Sequence, residues 1–289
     1  MELLLALATG MAAGLHSATW GMFKDAPHEG FTWRTYVRSP LLSAGIALVL
    51  AAALELDPGS AGGLAVLFGV TYGLERALVE IYKTFIREAD QSKYSIPMQL
   101  SVGGKVVESR GLRLLAGAFY LSVGILVLLG LHWLQVRGPS LPDFVVVLLA
   151  GSAGGWISAF GGAWKDAPVE GFSILKFFRS PVIAFLYGLF LASLTTSYPL
   201  VFLGSIGYTV ATIETYKTFF FPHEDRGKFM GKVPRYPEFL RTRLRFVPLY
   251  VLIWIAVLAV GVAAMTGDRT GLLFDGAGSG DAVEGAEPA

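Results

Sequence analysis

Eight apolar runs, each close to the length that crosses a bilayer, leave this chain few ways to fold. They fall at about 2–22, 40–56, 62–85, 111–134, 143–164, 181–197, 200–221 and 246–266. A transmembrane helix needs roughly 20 apolar residues for a hydrocarbon core of about 30 Å. Charged residues make up only 16% of the chain, against about 25% in soluble domains, so an aqueous surface could not be covered. The expected fold class is an all-α polytopic integral membrane protein of about eight transmembrane helices. The second and sixth runs hold 17 residues each and span only about 25 Å at 1.5 Å per residue. They are either thinly covered or longer by a turn. The first run has Glu2 as its only early charge, unlike the basic start of a signal peptide, and is expected to be retained.

The connections alternate in charge. KDAPHEGFTWRTYVRS, IREADQSKYSIPMQLSVGGKVVESR, KDAPVEGFSILKFFRS and FPHEDRGKFMGKVPRYPEFLRTRLR hold nearly all the lysine and arginine. The intervening connections LDPGSAG, QVRGPSLPD and TSY carry Arg137 alone. Positive loops stay on the cytoplasmic side. The long basic loops are therefore expected in the cytoplasm and both termini outside, in a plasma or inner membrane. The acidic, Gly- and Ala-rich tail 267–289 is expected to be a disordered non-cytoplasmic segment.

An internal repeat organises the runs. Residues 24–40 and 165–181 agree at ten of 17 positions at an offset of 141, and Gly73–Phe85 and Gly207–Phe219 agree at seven of 13 at an offset of 134. The shared residues include Lys, Asp, Glu, Arg and Tyr, which chance similarity of apolar segments does not supply. The units are 1–138 and 142–266, with four spans each. An even number of crossings places both in one orientation. Two parallel four-helix repeats about a pseudo-twofold axis along the membrane normal are expected.

The repeated polar residues are the candidate site. In KDAPxEG, Lys24, Asp25 and Glu29 match Lys165, Asp166 and Glu170. Pro27 and Gly30, with Pro168 and Gly171, suggest a shaped loop holding carboxylates at the membrane mouth. Ser39–Pro40 and Ser180–Pro181 read as N-cap and first helical residue of spans 2 and 6. Arg38 and Arg179 just before them are placed to meet lipid phosphate or a KDAP carboxylate, and FTWRTYV and FSILKFF read as interfacial anchors. In ExYK, Glu80 and Lys83 share a helix face, as do Glu214 and Lys217. Glu75 and Arg76 occur in the first unit only; Thr209 and Val210 replace them in the second. Small residues at Gly10, Gly14, Ser17, Ala18 and Gly21, matched at Gly151, Gly155, Ser158, Ala159 and Gly162, allow close helix contact or leave room for a path.

The function classes follow from these groups. With no basic tract, nucleic acid is not expected as a partner. The absence of cysteine removes thiol and disulfide chemistry. His16, His28, His132 and His223 are scattered and do not make a transition-metal site. The leading expectation is a transporter or channel carrying a small ion or polar solute between the repeats, lined by Lys24, Asp25, Glu29, Glu75, Arg76, Glu80, Lys83, Lys165, Asp166, Glu170, Glu214 and Lys217. No cofactor is certain, but Asp25, Glu29 and Glu80, and likewise Asp166, Glu170 and Glu214, could converge as hard oxygen ligands for Mg²⁺ or Ca²⁺. A membrane-embedded, Mg-dependent enzyme acting on a lipid or lipid phosphate is the first alternative. A non-catalytic scaffold subunit is the second. Membrane lipids are expected neighbours, and the sequence leaves the oligomeric state open.

Overall fold

The computed structural model describes residues 1–54, 56–139, 141–220, 227–267 and 269–274. His223 and the tail 275–289 lie outside them. Among the described residues the fold is almost wholly helical, with one short hairpin, Ser101–Val102 against Lys105–Val106. The long helices are α1 (Glu2–Glu29), α2 (Trp33–Ala53), α3 (Ala61–Ile81), α4 (Arg110–Arg137), α5 (Asp143–Glu170), α6 (Ile174–Ala192), α7 (Tyr198–Thr215) and α8 (Phe239–Thr266). All except α3 and α7 are long and apolar enough to cross a membrane. The chain is an integral membrane protein. On α4, Leu115, Phe119 and Leu126 are 68, 71 and 65% exposed, a surface that water would not tolerate and lipid does.

Three local expectations are corrected. KDAPHE and KDAPVE are not loops but the last turns of α1 and α5. Proline is tolerated there because its missing N–H costs one hydrogen bond near a helix end rather than in a central turn. The chain turns only at Gly30 and Gly171, both at φ +79°, where a side chain would be strained. Ser39–Pro40 and Ser180–Pro181 lie inside α2 and α6 rather than at their starts. The N-caps are Thr32 and Ser173, whose hydroxyls accept from the backbone N–H of Thr35 and Lys176. The supposed interfacial anchors are thus the first turns of these helices, which reach 21 and 19 residues.

α3 and α7 cross at the centre with their backbones almost touching. A methyl group on Gly207 would stand 1.9 Å from the Gly69 carbonyl oxygen and 2.8 Å from the Gly73 nitrogen. The Tyr208 hydroxyl donates to Ala65 O at 2.8 Å. On either side, the small-residue stripes seat one helix on the next. Gly14 lies against Pro40, and Gly155 against Pro181. Both YKTF segments continue their helices as a wider π turn, Tyr82–Ile86 and Tyr216–Phe220. After α8 the chain folds back, and Leu272 and Leu273 donate backbone N–H groups to Thr195 and Ala192 carbonyls at 3.3 and 3.2 Å.

Candidate functional site

A polar network lies inside the apolar core between α1, α3 and α8. Arg76 grips the carboxylate of Glu75 from Nε at 2.6 Å and Nη2 at 3.0 Å, and Ser17 Oγ donates to it at 3.2 Å. The guanidinium lies 5.3 Å from the centre of the Trp20 ring. Trp20 Nε1 donates to the Tyr72 hydroxyl at 2.8 Å, which meets His16 Nδ1 at 3.0 Å. The His16 ring stacks on Tyr250 at 4.3 Å. Charges in such surroundings persist only when paired. Glu75 and Arg76 therefore satisfy each other and offer no free charge to a solute. His16, set aside in the sequence as one scattered histidine, is fully buried in this network.

The end of the molecule bearing the basic loops holds a cavity of about 320 Å³. One wall is the end of α1, with Phe23, Lys24, Pro27 and His28. The other is built from the ends of α5, α6 and α7, and residues 227–243 form its rim. Of the candidate residues, Lys24, Asp166, Glu170, Glu214 and Lys217 line it. Lys24 Nζ meets Glu214 Oε2 at 3.0 Å, with Lys217 at 3.9 Å from the same carboxylate. Glu170 accepts from Lys176 at 3.0 Å and from the Gly227 N–H at 2.7 Å. Asp166 stands within electrostatic reach of Lys217 and Lys165.

The candidates outside the core network that do not line the cavity pair elsewhere. Lys228 reaches from the rim to Asp25 at 2.8 Å and Glu29 at 3.6 Å. Burial alone would lower its proton affinity, but Asp25 and Glu29 outweigh that and hold it above the ordinary lysine value. The rim is thus pinned by a charged lysine across the neutral range. Glu29 also accepts from the Tyr94 hydroxyl at 2.6 Å. Glu80 pairs with Lys83 at 3.4 Å, and the charge of Lys165 on α5 acts on it.

The carboxylates do not gather as the metal expectation required. Among the described residues, no three Asp, Glu or His side chains are arranged to hold a metal ion. Asp25, Glu29, Glu80, Glu170 and Glu214 each meet a lysine instead. Asp166 alone of the six makes no ion pair among the described residues, and lysine pairing leaves the other five fewer free oxygens for Mg²⁺ or Ca²⁺, which need several.

Two cavity cations escaped that pairing. Arg243 Nη1 donates to the Phe23 carbonyl at 2.8 Å, the acceptor that Pro27, four residues on, cannot satisfy. Its guanidinium lies 4.1 Å from the Phe23 ring centre, and that of Arg179 lies 5.6 Å from the Tyr216 ring. The Nε atoms of both are buried and, among the described residues, have no hydrogen-bond partner. Arg243 was legible in the sequence only as one more basic-loop charge, because nothing nearby in the chain marks the carbonyl it finds.

No protein-family model matches the chain, and neither the curated proteins nor the solved structures contain a match. The function must be argued from the site.

Proposed function

We propose that the protein is a membrane transporter built from two parallel four-helix repeats, with the cavity as the cytoplasmic mouth of a solute path between them. The carrying observation is the placement of the cavity. Its walls join α1 of the first repeat to α5, α6 and α7 of the second. The pair Lys24–Glu214 links the halves across it. Transporters of repeated construction place their sites at such an interface and rock one half against the other.

Equivalent residues support the twofold relation. Gly73 and Gly207 match in the sequence and approach each other at the α3–α7 crossing, as residues near a twofold axis must. Phe85 lies 5.9 Å from Tyr120 of α4, and its match Phe219 lies 4.3 Å from Tyr250 of α8. In this reading α3 and α7 also cross the membrane, screened from lipid by their neighbours, which completes eight spans.

The axis itself is closed by the glycine contact, so the path runs beside it. The two repeats differ there for a simple reason. Arg76 holds the Glu75 carboxylate that also accepts from Ser17 in the first repeat; its match Val210 and the matching Ser158 both line the cavity. A shorter side chain leaves the room that the arginine takes. The first-repeat counterpart of the outer wall is also covered, with Phe246 of α8 5.8 Å from Phe31 and 5.4 Å from Tyr36. The second repeat is therefore the working half.

Flux measurements test this. Purified protein in proteoliposomes, challenged with a panel of small anions and polar solutes, is expected to move at least one above the empty-vesicle background. Glu214→Gln should lower that flux by about tenfold or more, the scale of losing one charge-assisted contact worth about 1.5–3 kcal/mol. Background-level flux for every solute, or an unchanged variant, would remove the reading. Topology is tested separately, because the chain has no native cysteine. Single cysteines at the exposed positions Arg34 and Leu175 should react with an impermeant maleimide from one side, and a cysteine at Asp57 from the other. Opposite labelling of positions 34 and 175 would sink the parallel architecture.

A further inference from the structure

We infer that the cavity binds a phosphate-type oxyanion carried on an apolar body. The inference rests on the cavity being the transport site but adds the chemical class of its ligand. Four of the lining cations, Lys24, Lys176, Lys217 and Lys228, already have carboxylate partners. Arg179 and Arg243 do not: among the described residues they meet aromatic faces and a backbone carbonyl. Both line the cavity.

A guanidinium charge in a partly apolar wall is costly to leave without a counter-ion. A planar guanidinium answers best to an oxyanion that can accept two parallel hydrogen bonds. Two arginines lining one cavity suit a group with three or more acceptor oxygens, which a phosphate has and a carboxylate lacks. Phe23, Phe172, Phe177 and Phe229 occupy the rest of the wall. That lining is of no use to a bare inorganic ion and suits an attached apolar group. A cationic substrate, allowed by the carboxylates in the sequence, finds Glu170 and Glu214 already paired with lysines, which leaves Asp166 as the one lining carboxylate without an ion pair among the described residues.

Binding is measured on the full-length protein in nanodiscs of neutral phosphatidylcholine. Phenyl phosphate is titrated as the soluble source of this chemistry, and dioleoyl phosphatidate is doped into the disc as the lipid source. Saturable binding of at least one is expected, with inorganic phosphate weaker by about tenfold or more. Arg179→Gln should weaken binding by about tenfold or more, the loss expected for one charge-assisted hydrogen bond. Arg179→Lys, which keeps the charge but lacks the planar guanidinium fork, should fall between. Thermal midpoints of both variants report whether they fold. Preference for phosphatidate assigns the ligand to the bilayer, and preference for phenyl phosphate assigns it to the aqueous side; either supports the oxyanion site. Absence of saturable binding to both, inorganic phosphate binding as tightly, or binding undiminished in a folded Arg179→Gln protein would overturn it. Flux is read in parallel. Binding without flux retains this site and sinks transport, and flux of another solute without such binding does the reverse.

Discussion

Replacing Arg76 by methionine is expected to destabilise the protein by about 3–5 kcal/mol, the cost of leaving one member of a buried ion pair alone. The Glu75 side chain has no exposed surface, and Arg76 supplies two of its three hydrogen bonds. Without the guanidinium, the carboxylate keeps only Ser17 and must either take up a proton or drag water into the core. Removing both charges as Glu75→Gln with Arg76→Met should recover much of the loss, because an absent pair leaves no uncompensated ion. Equilibrium unfolding of both variants in detergent micelles, followed by tryptophan fluorescence, measures this. A single variant within about 1 kcal/mol of the parent, below the usual cost of an orphaned buried polar group, would show that the pair does not hold the core. The same comparison separates a structural role from a transport role: the double variant should keep its flux if Arg76 only fills space.

Gly207→Leu is expected to split the central crossing. The first side-chain carbon alone would fall 1.9 Å from a backbone oxygen, and backbone on both sides cannot swing away as a side chain can. Overfilling a packed site costs about 1–3 kcal/mol where neighbours adjust, and here the cost should reach or exceed the upper end. The protein should lose its sharp unfolding transition or fail to leave the membrane as a folded species. Gly124→Leu is the matched control, because nothing lies within 4 Å of that position on α4. Equal yield and melting point for the two leucine variants would mean that α3 and α7 do not meet as described.

Much of the architecture could be read before any coordinates existed. Apolar run length gives the membrane class, and the small-residue stripes locate real contacts, such as Gly14 on Pro40. Helix ends were harder. The polar residues of KDAPxE break the apolar pattern while the backbone continues as helix to Glu29 and Glu170. Hydropathy marks where lipid ends, and hydrogen bonding marks where a helix ends; here the two differ by a turn or two. The prolines misled in the same way, since Pro40 and Pro181 resemble first residues yet lie within helices begun at Trp33 and Ile174.

The candidate site divides along a similar line. Ten repeated ionisable residues and the unrepeated Glu75–Arg76 pair were visible as the groups that lipid would not tolerate. Their partners were not. Lys24 and Glu214 are 190 residues apart, whereas the sequence reading grouped Glu214 with Asp166 and Glu170. Lys228 joins α1 to the far loop in the same fashion.

The sequence alone determined that the chain enters a membrane and that its polar residues must turn inward, because hydrocarbon offers no other partner to a charge. Only the tertiary structure decided which charges meet, and therefore which arginines are left over. Pair formation depends on distances of a few ångströms between segments far apart in the chain. The cavity is likewise a property of the folded chain, since its lining joins the end of α1 to α5, α6, α7 and residues 227–243.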